Sequence, residues 1–119
     1  MLDSNYTQVS EAKGPEFLLY WDKVRLWGFQ RTVEEEVIKS MRKFIQSGGL
    51  FPPVPVTTLT GHIYLMAFLI DDEQGKPDGG HHRAYSHYIE KKPLLCRLVD
   101  QNYTAYNSTV DVKDIVFKL

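Results

Sequence analysis

The chain has 119 residues, the length of one domain, and its 43% apolar and 24% charged residues exclude a wholly disordered polymer. Its 14 Lys and Arg against 15 Asp and Glu leave a formal net charge of −1, which excludes a whole-molecule basic field for nucleic acid but not a local patch. A lone cysteine, Cys96, rules out an intramolecular disulfide and a cysteine-rich zinc site, and the longest apolar run, Ile63 to Ile70, is far short of the ~20 residues that cross a bilayer.

Residues 1–15 read as a polar, flexible tail closed by Gly14-Pro15, and residues 16–119 as a single domain. Met1 to Pro15 has no apolar run of the kind a secretory signal needs, so a cytoplasmic, reducing compartment with no membrane partner is expected. The Asn-x-Ser/Thr triplets at Asn5, Asn102 and Asn107 are then chance matches. Phe17 to Tyr20 and Lys23 to Phe29 are rich in aromatic and aliphatic residues and predict extended segments. Trp21 and Trp27 lie there, as packing residues or as a stacking platform for a base.

Thr32-Val33-Glu34-Glu35 has the form of a capping box, a hydroxyl followed three residues on by a Glu. Val33, Val37, Ile38, Met41, Phe44 and Ile45 then recur at helical spacing, and Gly48-Gly49 supplies a stop. Glu34, Glu35 and Glu36 suit the positive end of the helix dipole, and Lys39, Arg42 and Lys43 the other end. The same three acids are candidates for a catalytic carboxylate. Pro52-Pro53-Val54-Pro55-Val56 leads into a strand whose prolines argue against a central position. His62 to Ile70 predicts a strand buried on both faces, with a short buried helix as the alternative that periodicity leaves open, and Asp71 to Asp78 a polar loop. A helix follows from Gly79-Gly80 to Ile89, ended by Lys91-Lys92-Pro93, then a strand from Leu94 to Val99 and a short helix near Asp111 to Ile115. The order is that of a small mixed α/β domain, a mixed sheet with helices packed around it.

The chemistry concentrates in Gly79-Gly80-His81-His82-Arg83. A helix N-terminus leaves backbone N–H groups unsatisfied and carries partial positive charge. Glycines before it let a ligand approach the backbone, and Arg83 adds a fork of donors matched to phosphate oxygens. His81 and His82 add donors that an adjacent phosphate would favour in charged form. Together they describe an anion site, most naturally for phosphate. Asp78, His81, His82 and His87 are the alternative reading as metal ligands, but adjacent side chains diverge by about 100° around a helix. No metal site is assigned.

The stretch from Val24 to Asp100 resembles the ParB/sulfiredoxin superfamily. Its matching pieces are Thr32 to Gly49, Pro53-Val54-Pro55-Val56, Gly79 to Tyr85 and Leu94 to Asp100. The resemblance implies a ParB/sulfiredoxin-like domain whose phosphate pocket lies at Gly79, Gly80, His81, His82 and Arg83, with Arg31 ahead of the first helix as a further contact. Sulfiredoxins carry Gly-Gly-Cys-His-Arg; this chain has His81 at the cysteine position, so sulfinic acid reduction is not expected. Partition proteins carry Gly-Glu-Arg-Arg and a following helix-turn-helix. His81 replaces the Glu here and Leu119 ends the sequence, so sequence-specific DNA reading by this chain alone is not expected. Free-serine kinases carry Asp-Gly-His-His-Arg, close to Asp78-Gly79-Gly80-His81-His82-Arg83 but for one additional Gly. The expected function is a nucleotide-phosphate-binding domain, for ATP, ADP or CTP with Mg²⁺, with a DNA-associated output in partition or as a nuclease-like accessory. A small-molecule phosphotransferase using Glu34, Glu35 or Glu36 as base, and a non-catalytic interaction module, are the alternatives. DNA contact would use a local patch from Lys39, Arg42, Lys43, Lys91, Lys92 and Arg97. A homodimer or a partner protein completes the expected partners.

Overall fold

The computed structural model describes residues 14–59, 61–65, 80–98 and 109–119. Strands β1 (Glu16–Leu19), β2 (Leu26–Gly28) and β3 (Thr32–Val33) precede helix α1 (Glu35–Gln46). Strands β4 (Val54–Leu59) and β5 (His62–Leu65) follow, then helix α2 (His81–Ile89) and strand β6 (Leu94–Leu98). Strand β7 (Val110–Asp111), a 3₁₀ turn η1 (Val112–Asp114) and strand β8 (Val116–Phe117) complete the order.

A six-stranded mixed sheet runs β1-β6-β4-β5-β2-β7, and β3 and β8 pair separately. The β4–β6 and β2–β5 pairs are parallel; β1–β6, β4–β5 and β2–β7 are antiparallel. The mixed α/β class expected from the element order is therefore present. Helix α1 packs on α2, which in turn packs on β6 and η1. Leu19, Leu26, Ile38, Val54, Val56, Leu65, Ala84, Leu94, Cys96 and Val112 are buried in one continuous core. Each such aliphatic side chain contributes roughly 1.5–3 kcal/mol by leaving water.

Three local readings change. Thr32 and Val33 do not open the helix: they form β3, parallel to β8 in the register Thr32–Val116 and Val33–Phe117. Val33 is fully buried there. A β-branched pair with a strand partner prefers extended backbone over a first helical turn. The N-cap becomes Glu34, with no side-chain cap bond, and Glu35 and Glu36 occupy the first turn. At the other end the Gly48 and Gly49 amides return to the Ile45 and Phe44 carbonyls, the expected stop.

The Pro-rich strand β4 is interior, between β6 and β5. Pro55 pairs with Arg97 in the β6 register, one residue before the β5 register begins at Val56. A missing N–H is tolerated at that strand start. At the N-terminal edge, Leu98 N–H donates to the Pro15 carbonyl, and a Cβ on Gly14 would strike the Leu98 carbonyl. The sheet edge thus continues through Gly14 and Pro15, into the stretch assigned to the tail. The remainder of that tail, Met66 to Ile70 of the buried run, the 71–78 loop and the glycosylation triplets lie outside the described residues.

Candidate functional site at the start of two helices

The site forms where β2 runs out and both helices begin. Gly80 is the N-cap of α2, in left-handed backbone at φ 82°. A Cβ there would also overlap Val54 Cγ1, so glycine is required twice over. The glycine of the motif thus sets α2 directly against the central strand.

His81 turns inward and is 2% exposed. Its Nε2 accepts the backbone N–H groups of Phe29 at 3.0 Å and Gln30 at 3.2 Å. The ring stands edge-on to Phe29, centroids 4.3 Å apart. Gly28 makes room, because a Cβ there would lie 2.8 Å from the His81 ring. Two N–H groups that the end of β2 leaves inside the protein are thereby satisfied. His81 ties β2 to α2.

His82 is half-buried, and its Nε2 accepts the Glu34 N–H at 3.1 Å. Glu34 is the N-cap of α1, so a side chain of α2's first turn reaches the first residue of α1. The cap that Thr32 does not supply from within the sequence comes from His82 across space. Arg83 is half-buried and donates from Nη1 to the Pro52 carbonyl at 3.0 Å, next to the Pro-rich lead-in of β4. Neither histidine offers Nε2 as a donor in this arrangement. Donation to an anion rests with the Arg83 guanidinium, whose five N–H groups serve more than one acceptor, and with the backbone at the helix starts.

Arg31 is exposed on the short link between β2 and β3, where its carbonyl accepts the Val116 N–H at 3.2 Å. The structure separates the three glutamates. Glu35 and Glu36 both face Lys39, at 3.9 and 3.8 Å, one turn along α1. Glu34 alone is tied by its backbone to the α2 motif. Gly79 and Asp78 lie outside the described residues.

The other candidates fall elsewhere. His87 sits at the far end of α2, its Nδ1 3.1 Å from the Pro93 carbonyl and its ring near Phe51. Burial pulls its pKa below the ordinary value, the Arg83 charge pulls the same way, and the Pro93 bond opposes both. No group of three metal-ligating side chains forms among the described residues. Cys96 is fully buried on β6, and burial pushes its thiol up to about 12, so it is not a thiolate nucleophile at neutral pH. Trp21 packs edge-on against Tyr88 and donates to the Lys92 carbonyl, while Trp27 lies beside Tyr64 on the sheet. Of the basic patch, Arg42 pairs with Glu90, Arg97 with Glu16 and Lys39 with the α1 acids.

Three participants escaped the sequence reading: Gly28, the Phe29–Gln30 amides and the Pro52 carbonyl. Gly28 carried the only local signal, a glycine at the end of a strand pattern, which marks a close approach. Comparison with known protein families, curated proteins and solved structures finds no match for the chain.

Proposed function

We propose that the chain is a nucleotide-phosphate-binding domain of the ParB/sulfiredoxin type, with the phosphates held where α1 and α2 begin. One observation carries the reading: the His82–Glu34 bond ties the first turn of α2 to the N-cap of α1, so the positive ends of the two helices lie within one side chain's reach of each other. Arg83 and Arg31 would add charge-assisted contacts. Mg²⁺ would accompany ATP, ADP or CTP and screen the phosphate charge.

Phosphoryl transfer to a small hydroxyl compound is the output favoured over DNA association. Glu34 is exposed, next to the motif, and not drawn into the Lys39 pairs, as a general base requires. Much of the basic patch on which DNA contact would depend is instead ion-paired.

A thermal-shift titration with ATP, ADP, CTP and GTP, each with and without Mg²⁺, tests the reading. At a hundred times Kd a true ligand stabilises the fold by about 2.7 kcal/mol. Arg83→Ala should lose that shift, since a charge-assisted contact is worth roughly 1.5–3 kcal/mol. No shift with any nucleotide, or full affinity in Arg83→Ala, overturns it. Magnesium-dependent turnover lost in Glu34→Gln with binding retained would establish the transferase; salt-sensitive DNA binding without turnover would displace it.

A further inference from the structure

Arg83 and His87 lie one turn apart on α2, and side chains four apart share one face of a helix. Both meet the lead-in to β4. Arg83 donates from Nη1 to the Pro52 carbonyl, and the His87 ring stands edge-on to Phe51, centroids 6.2 Å apart. The His87 Nδ1 is 3.1 Å from the Pro93 carbonyl. A carbonyl only accepts, so Nδ1 carries the hydrogen of the neutral ring and a second proton enters at Nε2. That proton places a positive charge one turn from the Arg83 guanidinium.

The other charges on the elements packed around this ring are committed or exposed. On α1, Arg42 pairs with Glu90, Lys39 with Glu35 and Glu36, and Lys43 is exposed. On β6, Arg97 pairs with Glu16. On η1, Lys113 donates to the Trp21 carbonyl and Asp114 is exposed. The 50–53 lead-in carries no titratable side chain, and Lys91 and Lys92 beyond α2 are exposed. Earlier on α2, His81 and His82 accept backbone N–H groups through Nε2. Burial disfavours the His87 imidazolium, and Arg83 is the neighbouring charge that adds to the penalty, against the Pro93 bond. An anion seated on Arg83 offsets that charge and eases the second proton's entry. Coupling between two bound species is reciprocal, so the proton must tighten the anion by the same factor.

We propose that anion binding at Arg83 is linked to a proton on His87: the site takes up that proton as it fills, and holds its anion more tightly in acid than in base. The inference rests on the phosphate reading of the site and adds its pH response. Well above pH 6.5 the ring is neutral with or without the anion, and affinity is flat. As pH falls below that value the anion-bound protein takes the proton first. Affinity then climbs by about threefold, the effect of one unit charge at side-chain distance under near-aqueous screening.

Sulfate is the probe, because its own charge is constant over the range from about pH 5.5 to about pH 8 in which histidine titrates. NMR of the full chain follows the His87 ring, with chloride matching the ionic strength. Saturating sulfate should raise the titration midpoint of that ring by about half a pH unit. The sulfate constant should be about threefold tighter at the acid end. His87→Gln keeps a donor for Pro93, and circular dichroism checks its fold. It should bind sulfate as wild type does at the basic end and lose the acid gain. A His87 midpoint that sulfate leaves unmoved, or an acid gain retained in His87→Gln, overturns the link while the site reading stands. Absence of binding by both sulfate and Mg-ATP at every pH overturns the two together.

Discussion

His81 shows how one side chain of a conspicuous motif is taken for structure. Its Nε2 is committed to two backbone amides, so the fold relies on it as an acceptor. Gly28 is the other half of that arrangement. Gly28→Ala should therefore destabilise by about 1–3 kcal/mol through overpacking against the ring. Urea unfolding measures this, and an unchanged midpoint would show that the ring has room to move. Cys96 gives a second residue-level expectation. With no exposed surface and a thiol pushed up to about 12, it should resist iodoacetamide at neutral pH and react only on unfolding. Alkylation of the native protein at the unfolded rate would contradict its place in the core.

At the scale of elements, α1 and α2 are joined at both ends. His82 reaches Glu34 at their starts, and Arg42 meets Glu90 at 2.6 Å further along. Hydrogen bonds from Arg42 and then Gln46 hold the Glu90 carboxyl below its ordinary 4.5. The folded state thus binds this proton less readily than the unfolded chain. Its stabilising effect is complete above pH 4.5 and is lost as pH falls through the lowered value. His87 acts in the same direction at a higher window: full stability above 6.5, declining as pH drops below it. Thermal unfolding should therefore weaken in two steps on acidification, and Glu90→Gln should remove the lower one. A melting temperature with the same pH dependence in wild type and Glu90→Gln would refute the tie. The helices, β1, β2, β4 and β6 were legible because apolar periodicity, turn glycines and prolines are local signals. Strand β3 was not: Thr32-Val33 carries a sound capping pattern, and only the distant Val116–Phe117 makes it a strand. The clustering of Gly80, His81, His82 and Arg83 at a helix start was legible as Gly followed by basic residues. That His81 faces inward depends on where β2 ends in space, which no local pattern records.

Across the whole molecule, β8 braces the candidate site from outside. It pairs with β3 directly before α1, Lys118 N–H donates to the Val33 carbonyl at 2.8 Å, and the Phe117 ring lies 6.0 Å from Tyr85 on α2. One short strand thus steadies both helix starts without being a candidate phosphate contact. On the proposed nucleotide reading, Phe117→Ala, which leaves the Arg83 side chain unaltered, should lower nucleotide affinity several-fold in a calorimetric titration; unchanged affinity would make β8 mere surface cover. The pairing also bears on the order of assembly. Thr32 and Val116 come from opposite ends of the described chain, so their contact closes a long loop and is entropically expensive to make early. Helices and the adjacent β4–β5 hairpin have no such burden. The β3–β8 clasp then belongs to the last stage of folding and the first of unfolding, and a ligand bridging the two helix starts would act as a kinetic lock, slowing escape from the native state more than it speeds arrival.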